Sequence, residues 1–287
     1  MPGDRPALVV VAAGGLGTRV HQWARFIPKE FYPVDGRPGI THLLDEIAAL
    51  APARVVIVYH PYYEQFAAWA RQILDQHGHA RYARAAGRDM TAAIPPGLTV
   101  TFIAQHGPYA DVTSVLNGAD HFAAHDDLYV AFADNLYPGP SPLPLLRETA
   151  SAHVAVLASP YHPRLAAHRG ILITRPCPGH PQARTVSALI EKPGPAQAAQ
   201  LEQRHGPANL LMLEGRARLT PTFIEFARSR TARTPGPEPK LAHLIHAYAH
   251  DHPVIAVPTN SAIIDLGTPA AFDTCQASRP WPANSAR

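Results

Sequence analysis

Three glycines stand within four positions, Gly14, Gly15 and Gly17, just before Thr18 and Arg19. Backbone without Cβ atoms turns tightly and brings its N–H groups close to a ligand. The segment Ala13, Gly14, Gly15, Gly17, Thr18 can therefore cradle phosphate oxygens. Arg19 adds a planar fork of charged donors that suits phosphate. A second cation, Lys29, follows on the proline-stiffened turn Ile27-Pro28-Lys29-Glu30. Together these make a cradle for a nucleoside triphosphate, although a glycine turn with two solvated cations would look the same. Two other phosphate motifs fit less well. Val20 stands where a dinucleotide fingerprint wants its third glycine, and no Gly-Lys-Ser/Thr closes a Walker loop.

Carboxylates supply the complementary chemistry. Asp134 ends the apolar run Val130-Ala131-Phe132-Ala133, and Asp265 ends Ala262-Ile263-Ile264. A charge at the end of a buried strand favours a bound cation, or else caps a neighbouring loop. Two acids so far apart in sequence converge only through the fold. Glu191-Lys192-Pro193 follows the strand-like Val186–Ile190, where a Glu-Lys pair is often a solvated strand end. Histidines pair at helical or strand spacing (His121/His125, His246/His250, His77/His79, His250/His252), but no pair carries the glutamate of a zinc hydrolase. They read as solvated or capping residues.

Alternating elements position these groups. Ala7–Val11, Arg54–Tyr59, Leu98–Ala104 and Leu128–Ala133 read as buried strands, and 40–50, 62–75 and 113–124 as helices. This pattern predicts an α/β fold with a Rossmann-like, mostly parallel sheet and helices on both faces. The glycine loop and Asp134 then share the carboxyl ends of the strands, where such sheets bind ligands. Residues 80–97 show no clear period and read as an irregular excursion. The second half predicts strands at 153–158, 171–174, 186–190 and 209–213, and helices near 221–228 and 239–250. Strands at 254–257 and 262–264 are expected to close the sheet before a helix from Pro269. No linker divides the chain, so 1–287 reads as a single domain with a nucleotide-binding half (about 1–137) and a second half (about 138–287).

Composition narrows the class. The 287 residues are 46% hydrophobic and 16% charged, with 31 prolines that imply rigid loops. A net charge of +3, carried by scattered residues, gives no basis for a nucleic-acid partner. Cys177 and Cys275 stand alone, which fits a reducing compartment. No apolar run approaches the ~18–20 residues that span a membrane. Arg5 and the apolar residues after it imitate a secretory signal, but that run leads into the glycine loop; the expectation is a cytoplasmic protein.

The segment Ala13-Gly14-Gly15-Leu16-Gly17-Thr18-Arg19, with Pro28-Lys29 after eight intervening residues, resembles the signature of the sugar-phosphate nucleotidyltransferases. The likeness is to the glucose-1-phosphate uridylyltransferases and their thymidylyltransferase relatives. It implies the nucleotidyltransferase (GT-A-like) fold, a homo-oligomer, and transfer of a nucleoside monophosphate from UTP or dTTP to a sugar 1-phosphate. It also implies Mg²⁺ held by Asp134 and Asp265, the latter in an Asp-x-Gly-Thr segment. Arg19, Lys29 and Asp134 would be catalytic. Glu191 would hydrogen-bond sugar hydroxyls and Lys192 the sugar phosphate, with Gly170 and Asn209 beside the sugar. Gln105 would read the pyrimidine edge. Where relatives carry a glycine-rich turn beside the base, this chain has Tyr109-Ala110-Asp111-Val112-Thr113-Ser114, which leaves the base open. Two other readings remain: transfer to an unusual sugar or cyclitol phosphate, and a nucleotide-sugar-binding regulator without turnover.

Overall fold

A computed structural model describes residues 7–19, 22–87, 92–123, 127–149, 152–232 and 240–267. Its main sheet contains β1 (Ala7–Ala13), β2 (Ala53–Tyr59), β3 (Leu98–Ala104), β4 (Asp127–Phe132) and β5 (Val154–Pro160). The same sheet takes in β6 (Gly170–Cys177), β7 (His180–Glu191), β8 (Leu210–Leu219) and β9 (Val254–Pro258). The spatial order is β3-β2-β1-β4-β8-β5-β9-β7-β6.

β1 is buried because it is paired on both sides, in parallel, with β2 and β4. Its side chains alternate between two cores. Ala7, Val9 and Val11 pack with α1 (Gly39–Ile47), α2 (Glu64–Leu74) and α5 (Leu143–Thr149). Leu8 and Val10 pack on the opposite face with α4 (Asp111–Ala119), α7 (Pro221–Thr231) and α8 (Leu241–Tyr248). The period of 2 in the strand thus assigns helices to both faces. From β1 the chain moves outward to β2 and β3, then returns to β4 on the other side. The crevice beyond the carboxyl ends of β1 and β4 is therefore the topological switch point of the sheet.

The α/β expectation is met, with differences in the second half. Only β5 and β9 pair in parallel there; β8, β7 and β6 run antiparallel to their neighbours, so the sheet as a whole is mixed. The segment 262–264 does not close the sheet. Ile264–Asp265 instead forms a two-stranded ribbon with Asn135–Leu136, matching Asp265 with Asn135. The stretch read as irregular from residue 80 begins inside α3 (Gln76–Ala86), capped by the Asp75 side chain on Gly78 N and stopped by left-handed Gly87. Its weak apolar stripe hid it. A further helix, α6 (Pro195–His205), lies against β6 and β8 and was not expected. The helix expected from Pro269, His125 and Cys275 lie outside the described residues. No helix among those described is long and apolar enough to cross a membrane.

α4 sits unusually close to β1, because a Cβ on Gly118 would lie 2.4 Å from Val10 Cγ1. Gly118→Ala should therefore destabilise the fold by about 1–3 kcal/mol through overpacking. Helix propensity alone favours alanine by about 1 kcal/mol, so the sign of the change is diagnostic. A urea midpoint that rises on substitution would contradict this packing.

Candidate active site

The loop after β1 owes its glycines to its neighbours. A Cβ on Gly14 would lie 2.3 Å from Gln105 Oε1 and 2.8 Å from Ser114 Oγ, so only glycine lets the loop lie against them. Gln105, just past the end of β3, is 6% exposed. Its Oε1 accepts from Ser114 Oγ at 2.7 Å, and its Nε2 donates to Pro108 O at 3.3 Å. One lone pair and one amide proton remain for a ligand. The Tyr109–Ser114 segment thus buttresses Gln105, while the ring of Tyr109 meets His60 edge-on at 5.5 Å.

Lys29 lies beneath the loop at the end of β4. Its Nζ is 2.6 Å from Asp134 Oδ2 and 3.3 Å from Glu30 Oε1. Burial works against the lysine's charge, yet the two carboxylates outweigh it and hold its pKa well above the ordinary lysine value. Burial likewise pushes Asp134 up, and Lys29 more than reverses this, holding it below the usual aspartate value. Glu30 is pushed up by burial, against the pull of Lys29. The result is a buried lysine fixed in its charged form between two acids.

The ribbon at 264–265 brings Asp265 to the same place. A Cβ on Gly267 would lie 2.8 Å from Asp265 Oδ1 and 3.4 Å from Asp134 Oδ2, so both carboxylates flank that residue. Leu266 N donates to Asp134 O at 2.7 Å, tying the two segments together.

Two adjoining cavities open here. The larger, about 570 Å³, is lined by Gly14, Gly15, Gly17, Thr18, Lys29 and Gln105 among others. The smaller, about 300 Å³, is lined by Gly170, Asp265 and the residues of the β8 bulge described below. Arg19, Asp134, Glu191 and Lys192 line both. Lys192 adopts a left-handed φ of 50, with its N–H donating to Arg169 O at 3.2 Å. That backbone is strained for a residue with a Cβ, and such strain concentrates at functional sites. Two expected residues do not line either cavity. Ala13 faces the core, and Asn209 bonds Arg184 Nη2 at 2.6 Å and His205 O at 2.9 Å instead.

Sequence reasoning missed the floor of the smaller cavity. The register of β8 against β5 slips between Leu213 and Ala217, a bulge that turns Glu214 and Arg216 into the cleft. Glu214 accepts from Ser159 Oγ at 2.6 Å and from Arg169 Nη1 at 2.5 Å. Burial raises its pKa, with Arg169 opposing. Arg216, whose side chain is fully buried, clasps both oxygens of Glu46 at 2.7 Å and donates to Phe132 O and Asn135 O. It therefore pins the chain on either side of Asp134. The available signal was the charged Glu214-Gly215-Arg216-Ala217-Arg218 within an otherwise apolar strand.

A Rossmann-like half that ends on a glycine loop, joined at its switch point to a partly antiparallel half, is the fold of the sugar-phosphate nucleotidyltransferases. Comparison with known proteins bears out the resemblance. UDP-glucose pyrophosphorylase from Acinetobacter baumannii superposes with a TM-score of 0.74 over 94% of this chain and 92% of its own, at 20% identity. The inositol-1-phosphate CTP transferase from T. maritima superposes with a TM-score of 0.61 over 96% of each chain, at 13% identity. In sequence, the bifunctional protein GlmU of Xanthobacter autotrophicus is 31% identical over 212 residues, 74% of this chain. That alignment spans only 40% of the relative's length. No family model matches the chain.

The charges at Lys29 give a testable pH dependence. Asp134, held low, stabilises the fold fully above the ordinary aspartate pKa of about 3.9, and loses that effect as pH falls through its depressed value. Lys29, held high, adds no loss until pH rises beyond the lysine range. Lys29→Met removes the largest opposition to burial, leaving only the backbone hydrogen bond and Arg216, so the Asp134 pKa moves up and the stability its charge adds at higher pH shrinks. The stability gap between wild type and Lys29→Met, from urea unfolding, should widen between about pH 3 and about pH 7. A gap independent of pH would show that the pair is not the buried contact described.

Proposed function

We propose that the chain transfers a nucleoside monophosphate from an NTP, with UTP or dTTP favoured, to the phosphate of a sugar 1-phosphate, giving an NDP-sugar and pyrophosphate. The observation that carries this reading is the pair of adjoining cavities, a glycine loop lining one and Gly170 the other, with Arg19, Asp134 and Lys192 common to both. A phosphate oxygen of the acceptor attacks the α-phosphorus in line, and the bond to pyrophosphate breaks. No protein nucleophile is required, so catalysis is positioning and charge neutralisation. Arg19 and the loop N–H groups hold the β- and γ-phosphates, Lys29 neutralises the α-phosphate, and Lys192 holds the attacking phosphate. Gln105 presents its remaining donor and acceptor to the imide edge of uracil or thymine. Glu191 accepts from acceptor hydroxyls beside Gly170.

The donor set fits Mg²⁺. Two hard carboxylates, Asp134 and Asp265, flank a glycine where any side chain would intrude, and no third acid, histidine or cysteine joins them among the described residues. That leaves room for the phosphate and water oxygens Mg²⁺ prefers. When bound, the ion supplies charge neutralisation at the reacting phosphates. With this activity goes a cytoplasmic enzyme, working as a homo-oligomer without nucleic-acid or membrane partners.

A second acceptor class has its own support. The likeness to an inositol-1-phosphate CTP transferase extends over nearly the whole chain, and the Arg169–Glu214 pair offers both donors and an acceptor to a hydroxylated ring. A matrix of NTPs against sugar and cyclitol phosphates, scored for pyrophosphate release, tests both. UTP or dTTP should exceed CTP, ATP and GTP by at least about tenfold in kcat/KM, since a mismatched base leaves buried polar groups unsatisfied. ATP or GTP as the better donor would remove Gln105 from base reading. Asp134→Asn and Asp265→Asn should each lower kcat by orders of magnitude, and the double variant little more than the worse single one. Clean additivity would contradict a shared ion.

A further inference from the structure

One carboxylate in the cleft faces two lysines. Glu191 Oε1 lies 3.8 Å from Lys192 Nζ and 3.6 Å from Lys240 Nζ. Lys192 has a role in the reaction proposed above; Lys240 has none so far. It lines the larger cavity together with the glycine loop and Lys29, and its side chain is only 36% exposed.

Its position follows from an unusual cap. Lys240 is the N-cap residue of α8, with extended backbone (φ −98, ψ 142), and its own side chain gives the helix no cap. The cap comes from Asp111, whose Oδ1 accepts from Leu241 N at 2.8 Å. Asp111 opens α4 in the nucleotide-binding half and lines both cavities. A carboxylate in a phosphate cleft would repel its substrate. Here it is engaged on a helix terminus, where negative charge is favourable, and it fixes the start of α8 at the cleft.

We propose that Lys240 is a binding residue for the phosphate of the acceptor, acting together with Lys192, and that Asp111 is the positioning residue that holds it there. The proposal rests on the transfer reaction above. Glu191 is the shared counter-ion of the two lysines. A phosphate monoester, with up to two negative charges and three free oxygens, takes both ammonium groups from it. The carboxylate of Glu191 is then released to accept from the hydroxyls of the same acceptor. The exchange leaves both lysines paired with the phosphate and the Glu191 carboxylate hydrogen-bonded to hydroxyls, and it couples recognition of the phosphate to recognition of the ring.

The test uses the full chain with an NTP and acceptor that support pyrophosphate release. Lys240→Met should raise the acceptor KM by about tenfold or more, the loss expected for a charge-assisted hydrogen bond. Its affinity for NTP alone, by calorimetry, should change by less than about threefold. Lys240→Arg should restore most of the acceptor KM. Asp111→Ala should raise the acceptor KM in the wild type but add nothing in the Lys240→Met background, because it acts through that lysine. An unchanged acceptor KM in Lys240→Met, or a loss that falls on NTP binding instead, overturns the assignment. Additive effects of the two substitutions overturn the positioning role. If no NTP and acceptor pair gives turnover, the transfer reading fails; calorimetry with glucose 1-phosphate then tests the lysine directly, and equal affinity in wild type and Lys240→Met rejects it.

Discussion

The cleft depends on a buried lysine that must stay charged. Lys29 sits where β1 and β4 part, 2.6 Å from Asp134, with Glu30 as its second acid. Removing two charges from water is costly unless they are well paired, and removing one partner strands the other. The glycine loop, the turn at Pro28 and the end of β4 can therefore take only those conformations that keep the pair together. The same pair suits the proposed reaction. There Lys29 would give up a carboxylate for a phosphate without changing its own charge, and Asp134 would be released towards a cation.

Holding Asp134 in place falls to a second buried ion pair. Arg216 binds Glu46 on α1 through two nitrogens and the carbonyls of Phe132 and Asn135 through the rest of its fork. It comes from the β8 bulge, in the half of the chain that forms the smaller cavity. One guanidinium thus connects the first helix, the end of β4 and the smaller cavity. The ribbon joining Asn135–Leu136 to Ile264–Asp265 completes this arrangement by delivering the second aspartate. The two halves share both apolar cores and the β8–β4 pairing, and at the cleft they meet through side-chain charges and a two-residue ribbon.

How much of this was legible depended on range. β1, the glycine loop, Lys29 and Asp134 were readable because each is signalled by its own neighbours: a β-branched run, a glycine cluster, a proline turn, a carboxylate after an apolar strand. The three strands that follow β1 in the first half were readable for the same reason. The antiparallel half was less so, because strand direction is set by long-range pairing that leaves no local periodicity. Asp265 lies beside Asp134 but on a ribbon, not on a strand closing the sheet; a two-residue ribbon has no pattern to read. Glu214 and Arg216 were missed since a bulge inverts the alternation that assigns faces. Asn209 was expected beside the acceptor, but its amide is engaged by Arg184 and the end of α6. The Tyr109–Ser114 segment left the base open in the sequence; within it Asp111 caps a helix more than a hundred residues away, a contact no local pattern signals.

In the proposed reaction this cleft promotes direct transfer between two substrates by holding charge in place, with no covalent attachment to the protein. The stereochemical course at phosphorus tests it most directly. A donor with sulfur at one defined position on the α-phosphorus is turned over, and the configuration of the product is read by ³¹P NMR. A single in-line displacement predicts inversion. Retention would require two displacements, and hence a protein nucleophile that the account does not contain.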